Sequence, residues 1–204
     1  KVMERAPIEF IYKDYKIYSM PPPSSGGVCL AQILNQLEIV DISRFGQHSS
    51  DHIHFMVEAE RRAYADRAHY LGDPDFVDIP VSYLISKNYA KKRFSDTDPF
   101  LASESENVIH GNAPYESEET THYSVVDKWG NAVSVTTTIN RAYGNGIVVD
   151  DSGFLLNNEM DDFSSKPGEP NSFGLIGNIA NSIEPGKRML SSMTPTIVTD
   201  QEDD

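Results

Sequence analysis

Cysteine is nearly absent: Cys29 is the single one in 204 residues. One thiol excludes an internal disulfide framework and a thiolate zinc cluster. Cys29 follows Gly26, Gly27 and Val28 in an apolar run. That context suits a small core side chain and lacks the cationic neighbours that activate a catalytic thiolate. Positive charge is scarce too. There are 17 Lys and Arg against 31 Asp and Glu, a formal charge of -14. Such a balance argues against nucleic acid or an anionic membrane surface as partner. No apolar run approaches the roughly eighteen residues of a membrane span, and no signal peptide is visible. The 6 histidines form no His-Glu-x-x-His pattern. His52 and His54, two apart, would point to different faces of a helix, and His48 is expected to precede that helix, so neither a metal nor another cofactor is expected. There is no Gly-x-Ser-x-Gly elbow, which disfavours a conventional serine hydrolase.

What is present reads as helices followed by antiparallel strands, an α+β chain. "IEFIYKDYKIYSM" predicts a hairpin about Lys13 and Asp14. "PPPSSGG" breaks the ladder, and Ser24 or Ser25 can cap the helix after it. Leu30, Ile33, Leu34 and Leu37 give that helix its apolar spacing. A second helix is predicted with Asp51 as N-cap, with Ile53, Met56, Ala59, Ala63 and Tyr64 inward, ended by Gly72-Asp73-Pro74. A third runs from near Ser82 to Lys91-Lys92-Arg93. Residues 95–119 carry no Lys or Arg and read as a solvated, mobile acidic linker. "THYSVV" and "NAVSVTTTI" then predict a hairpin over Gly130. "GIVVDDSGFLLNNEMDDF" offers two more short strands, and "SSKPGEPNSFGLIGNIAN" a long loop of the lid or binding type. "MLSSMTPTIVTD" predicts a turn and a strand.

Three features carry chemistry. Glu159 with Asp161 and Asp162 is either a solvated acidic turn or a pair of carboxylates for an ammonium group. Ser191 and Ser192 are either capping hydroxyls or donors to a carboxylate. Thr120 stands at the end of the acidic linker. It is either the first residue of a strand or, once the chain is cut before it, a nucleophile whose own α-amine acts as base.

Several motifs in order resemble the gamma-glutamyltransferase (gamma-glutamyl transpeptidase) family. "TTHYSVVDKWGNAVSVTTTIN", "SGFLLNNEMDDFS" and "KRMLSSMTPTIV" resemble the start of its small subunit. "MPPPSSGG" and "EAERRAYADRAHYLGDPDF" resemble the end of its large subunit. The resemblance implies part of a four-layer αββα N-terminal-nucleophile hydrolase sandwich. It divides the chain into a large-subunit region (1–94), the linker (95–119) and a small-subunit region (120–204). It implies self-cleavage between Glu119 and Thr120, with Thr120 then attacking a gamma-glutamyl amide such as glutathione. The resulting ester passes to water or to an acceptor amino acid or peptide. Thr138 matches the threonine beside the nucleophile. Asn140, Glu159 and Asp162 match residues around the substrate α-amino group, and Ser191 and Ser192 match the pair on its α-carboxylate. Residues 167–178 match a lid, with Phe173 as its aromatic. The large and small subunits of one precursor are the implied partners.

The family's oxyanion-hole glycine pair and a carboxylate-binding arginine have no match in this sequence. Each lost oxyanion donor costs about a hundred- to a thousand-fold in rate. The 204 residues alone are therefore expected to be a central fragment, inactive and uncut, with exposed sheet edges. By resemblance the location is periplasmic or secreted. Two alternatives are a cephalosporin or glutaryl acylase of the same superfamily and a non-catalytic binding protein that keeps the fold.

Overall fold

A computed structural model of the chain describes residues 2–108, 121–172, 174 and 176–200. Strands β1 (Ile8–Tyr12) and β2 (Tyr15–Ser19) pair antiparallel across the predicted two-residue turn. Lys13 takes φ 53°, the positive value that such turns place at their first loop residue. β5 (Thr196–Asp200) lines the other edge of β2, with Ile17 opposite Val198. The sheet order is β1-β2-β5. Ile8, Phe10 and Ile17 alternate toward Val28, Cys29 and Ala31 of α1 (Gly26–Ile39), forming the main core. Cys29 is buried there, as its apolar context predicts.

α1 begins in tight quarters. A Cβ on Gly26 would lie 2.8 Å from the Met193 carbonyl oxygen, and one on Gly27 would strike the Met20 carbonyl. Gly26 thus lets the chain near residue 193 lie against the start of α1, and Gly27 does the same for the end of the first hairpin at Met20.

α2 (Ser50–Tyr70) starts two residues earlier than predicted: Ser49, not Asp51, is its N-cap, accepting from His52 N at 3.3 Å. The predicted third helix is two, α3 (Val81–Leu84) and α4 (Lys87–Phe94). Ser86 divides them by capping α4 through Tyr89 N. The inward stripe of α2 also differs. Ala59 and Ala63 are buried as predicted, but Ile53 is 50% exposed and Phe55 takes the core position with Leu37 and Phe94.

Beside that stripe α2 buries charges. Glu58 is 0% exposed and pairs with Arg62 and Arg61, each at 2.6 Å. Ser103 donates to Glu58 through both its backbone N (2.9 Å) and its hydroxyl (2.6 Å), and Asp96 pairs with Arg62 at 2.8 Å. The first half of the acidic segment is thus tethered to α2 at Asp96 and Ser103 while most of its residues stay exposed, and Val108 is buried. Burial raises the Glu58 proton affinity, but hydrogen bonds from Ser103 and Arg62 outweigh it and hold the pKa at about 2. A depressed carboxylate stabilises the fold above its ordinary pKa, and that stability is lost as pH falls through the native value. Glu58→Gln should cost about 3 kcal/mol at pH 7, because it takes the carboxylate from Arg61 and leaves the buried Arg62 with only the exposed Asp96. The cost should shrink between pH 4.5 and 2. Denaturant midpoints at pH 7 and pH 3 check this; a pH-independent cost would contradict it.

β3 (Thr121–Val126) and β4 (Ala132–Thr137) form the second sheet, a hairpin as predicted. Asp127 Oδ1 accepts from Trp129 N and Asn131 N in its turn, and Gly130 takes φ 87°. Tyr123, Val125 and Val133 are at least half exposed. The two further strands expected in 146–163 reduce to one bridge, Val148 with Leu155. Asp151 and Gly153 take positive φ there, so a tight turn uses up the residues a longer ladder would need. The chain is α+β as predicted, with its first hairpin ahead of the helices and joined to β5.

Candidate active site

β4 ends at the Thr121–Thr137 pair. Thr138 follows at the end of the ladder to which Thr120 is covalently joined through Thr121. Thr120 and Glu119 themselves lie outside the described residues, as does Phe173. Thr138 Oγ1 accepts from Asn140 N at 2.9 Å. Asn140 is buried and takes φ 73°, a conformation that asparagine tolerates better than most side chains. Its Nδ2 donates to Asp162 Oδ1 and to the Asn158 carbonyl, each at 3.2 Å. Thr138, Asn140 and Asp162 thus form one chain of contacts from the strand end to the short 3-10 turn Glu159–Asp162.

Asn181 connects that turn to the serine pair. It is 4% exposed; its Nδ2 donates to the Asp162 carbonyl at 2.7 Å, and its Oδ1 accepts from Leu190 N at 2.9 Å. Asp73, fully buried past the end of α2, accepts from Arg188 N at 2.7 Å. Ser191 is then fixed by its neighbours across the chain. Its N donates to the Pro23 carbonyl at 2.9 Å, and its carbonyl accepts from Ser25 N at 2.7 Å. Ser25 occupies the N-cap position of α1 but makes no side-chain cap. Its hydroxyl donates to the Ser191 carbonyl at 2.9 Å instead. Ser24 takes the predicted capping role in part, accepting from Gly26 N at 3.2 Å. Arg67, in the last turn of α2, donates to Ser192 Oγ at 3.1 Å.

The acidic turn is electrostatically unusual. Burial, then the neighbouring Glu159, pushes the Asp162 carboxyl up to about 7; Asp161 adds to this, while Arg67 and Asn140 oppose it. Burial also raises Glu159, with a hydrogen bond to Asp162 acting against it. Two half-buried carboxyls that resist joint ionisation make a site that a cation would relieve. Asn171 and Ser172, in the predicted lid, lie against this turn. Asn171 Nδ2 donates to the Asp161 carbonyl and Ser172 N to Asp161 Oδ2, each at 3.2 Å. Among the described residues no cluster of His, Cys, Asp and Glu is arranged to hold a metal ion.

Asn140, Glu159, Asp162, Ser191 and Ser192 are thus brought onto one frame. Arg67, Asn181 and Asp73 belong to that frame and were not singled out from the sequence. Each reads locally as a helix-face or loop residue, and its partners lie far along the chain.

Comparison with known proteins bears on this arrangement. The family model of gamma-glutamyltranspeptidase matches residues 1–204. The glutathione hydrolase proenzyme of Escherichia coli (strain K12) is 56% identical over 199 residues, covering 97% of this chain and 34% of that protein. The chain spans about a third of the length of the curated relatives it matches. The crystal structure of Helicobacter pylori gamma-glutamyltranspeptidase aligns over 51% of this chain and 30% of its own, with 50% identity and a TM-score of 0.50. That of cephalosporin acylase from Bacillus halodurans aligns over 96% of this chain and 32% of its own. Its TM-score is 0.71 at 22% identity, a likeness of fold.

Proposed function

Because the chain belongs to the gamma-glutamyltranspeptidase family, we propose that it is the central part of a proenzyme that cuts itself between Glu119 and Thr120 and then transfers or hydrolyses gamma-glutamyl groups. In this reading residues 1–94 close the large subunit, 95–119 lead to the cut, and 120–204 open the small subunit. The observation that carries the reading is the shared frame of the acidic turn and the serine pair, joined through Asn181. A gamma-glutamyl donor presents an ammonium and a carboxylate on one carbon. Glu159 and Asp162 neutralise the ammonium; Ser191 and Ser192 donate to the carboxylate. Holding both ends fixes the gamma-carbonyl for attack.

The free α-amine of Thr120 accepts the proton of its own hydroxyl as Oγ bonds to the gamma-carbonyl carbon. The C–N bond of the donor then breaks, the departing amine takes that proton, and a gamma-glutamyl ester remains on Thr120. Water or an acceptor amine attacks the ester carbon, loses its proton to the α-amine, and releases Thr120 Oγ. Thr138 supports the nucleophile from the end of β4. Glutathione is the donor this chemistry suits, and a periplasmic or secreted location goes with the reading.

The discriminating experiment compares gamma-glutamyl with glutaryl amides in the full-length protein. A glutaryl group has the same chain without the ammonium. The gamma-glutamyl donor should be favoured about a hundredfold in kcat/KM, the cost of leaving buried carboxylates without their cation. Preference for the glutaryl amide would instead support an acylase.

A further inference from the structure

Arg67 is 5% exposed and lies in the last turn of α2, where the helix end favours a cation. Its Nε donates to Ser25 Oγ at 3.0 Å and its Nη2 to Ser192 Oγ at 3.1 Å. A guanidinium only donates, so both hydroxyls must accept from it. Each serine then has a single proton to place. Ser25 gives its proton to the Ser191 carbonyl. Ser192 must aim its own away from the cation. Accepting a charge-assisted hydrogen bond also strengthens the hydroxyl as a donor.

We infer that Arg67 is a positioning residue for the carboxylate end of the donor: it fixes Ser192 as a hydrogen-bond donor and keeps a buried positive charge behind the serine pair. The inference rests on the gamma-glutamyl reading above and names a residue that this reading does not use. The same guanidinium reaches the other half of the grip. It favours ionised Asp162 against burial, Glu159 and Asp161. One cation thus supports the group that meets the ammonium and the pair that meets the carboxylate. The planar fork is what allows this. Its Nε and Nη2 point to two fixed hydroxyls on separate elements, which a single lysine nitrogen cannot reproduce.

The test uses the full-length protein and gamma-glutamyl-p-nitroanilide. Arg67→Lys keeps the charge and loses the fork. KM should rise about tenfold, with kcat within about threefold and the acidic limb of the kcat/KM profile unmoved. Arg67→Met should raise KM about a hundredfold and move that limb to higher pH, since Asp162 is left facing Glu159 and Asp161 without the cation. The double variant Arg67→Lys, Ser192→Ala should show no larger KM than Ser192→Ala alone. A merely structural arginine would lower kcat or yield with KM and the limb unchanged, or would add its effect to that of Ser192→Ala; either result overturns the inference. If Arg67→Met does not fold, the lysine variant and the double variant still decide. A wild-type protein that does not turn over the gamma-glutamyl donor would overturn the functional reading and this inference with it. That result differs visibly from active wild type with additive variants.

Discussion

Thr120→Ala in the full-length protein should leave the chain uncut at residue 119 and lower gamma-glutamyl turnover by about ten-thousandfold or more. The size follows from one oxygen having two uses. The hydroxyl attacks the preceding carbonyl during processing and the donor carbonyl during turnover, so alanine removes both reactions together. Thr121→Ala should be mild by comparison. Thr121 is an exposed strand residue paired with Thr137, and its loss removes only a surface β-former. Thr120→Ser should still cut and still turn over, because the hydroxyl and the α-amine both remain. Intact mass and an amide-hydrolysis assay on the three variants check this series. Unchanged processing and activity in Thr120→Ala would mean that a different group carries the chemistry, and a wild type that neither cuts nor turns over would point to a protein that keeps the fold without it.

Asp162→Asn should lower kcat/KM about a hundred- to a thousandfold, mainly through KM, by removing a charged partner of the substrate ammonium. Its pH behaviour is equally informative. With the Asp162 carboxyl pushed up to about 7, the free enzyme binds the ammonium well only above that pH. Wild-type kcat/KM should therefore fall as pH drops below about 7, and the asparagine variant should lose that limb. Stability should move the other way. A carboxyl whose native pKa is raised is at its most favourable below its unfolded value, and that advantage disappears as pH rises through the native value. The gap to the ordinary value is worth roughly 4 kcal/mol at full strength, and about half that for a carboxyl still reached by solvent. Asp162→Asn should therefore be more stable than wild type at pH 8 by about 2 kcal/mol and close to equal at pH 4. Thermal melts at the two pH values check the sign. A variant destabilised at pH 8 would mean that Asp162 supports the fold rather than the substrate.

The sequence disclosed those parts of the fold that depend on neighbours in the chain. Alternation around Lys13 and Gly130 located both hairpins, and the spacing of Leu30 through Leu37 located α1. What it concealed depends on distant partners. Ser49 and Asp51 are both good N-caps, and the structure uses the first, which accepts from His52 N. The charged stretch "EAERRAYADR" looks like a solvated helix face. It is buried because Asp96, Ser103 and Ser192 come back to pair with it. That long-range pairing also hid Arg67 and ties the otherwise exposed first half of the acidic segment to α2 at Asp96 and Ser103. β2 with β5 is a pairing between opposite ends of the chain, beyond the reach of local pattern. The site behaved likewise. The acidic turn and the serine pair could each be read as ordinary surface features, and only the resemblance placed them in one site. The structure adds the physical link between them, Asn181, a residue in a Gly- and Asn-rich loop with nothing to distinguish it locally.

The central claim is that Thr120 becomes a new N-terminus and carries the gamma-glutamyl group. Full-length protein mixed briefly with a gamma-glutamyl donor, quenched in acid and mapped by peptide mass spectrometry tests it directly. The account predicts a peptide that begins at Thr120 and carries one gamma-glutamyl group on that residue. Donor turnover with Thr120 still joined to Glu119, or with the gamma-glutamyl group on a different side chain, would contradict it.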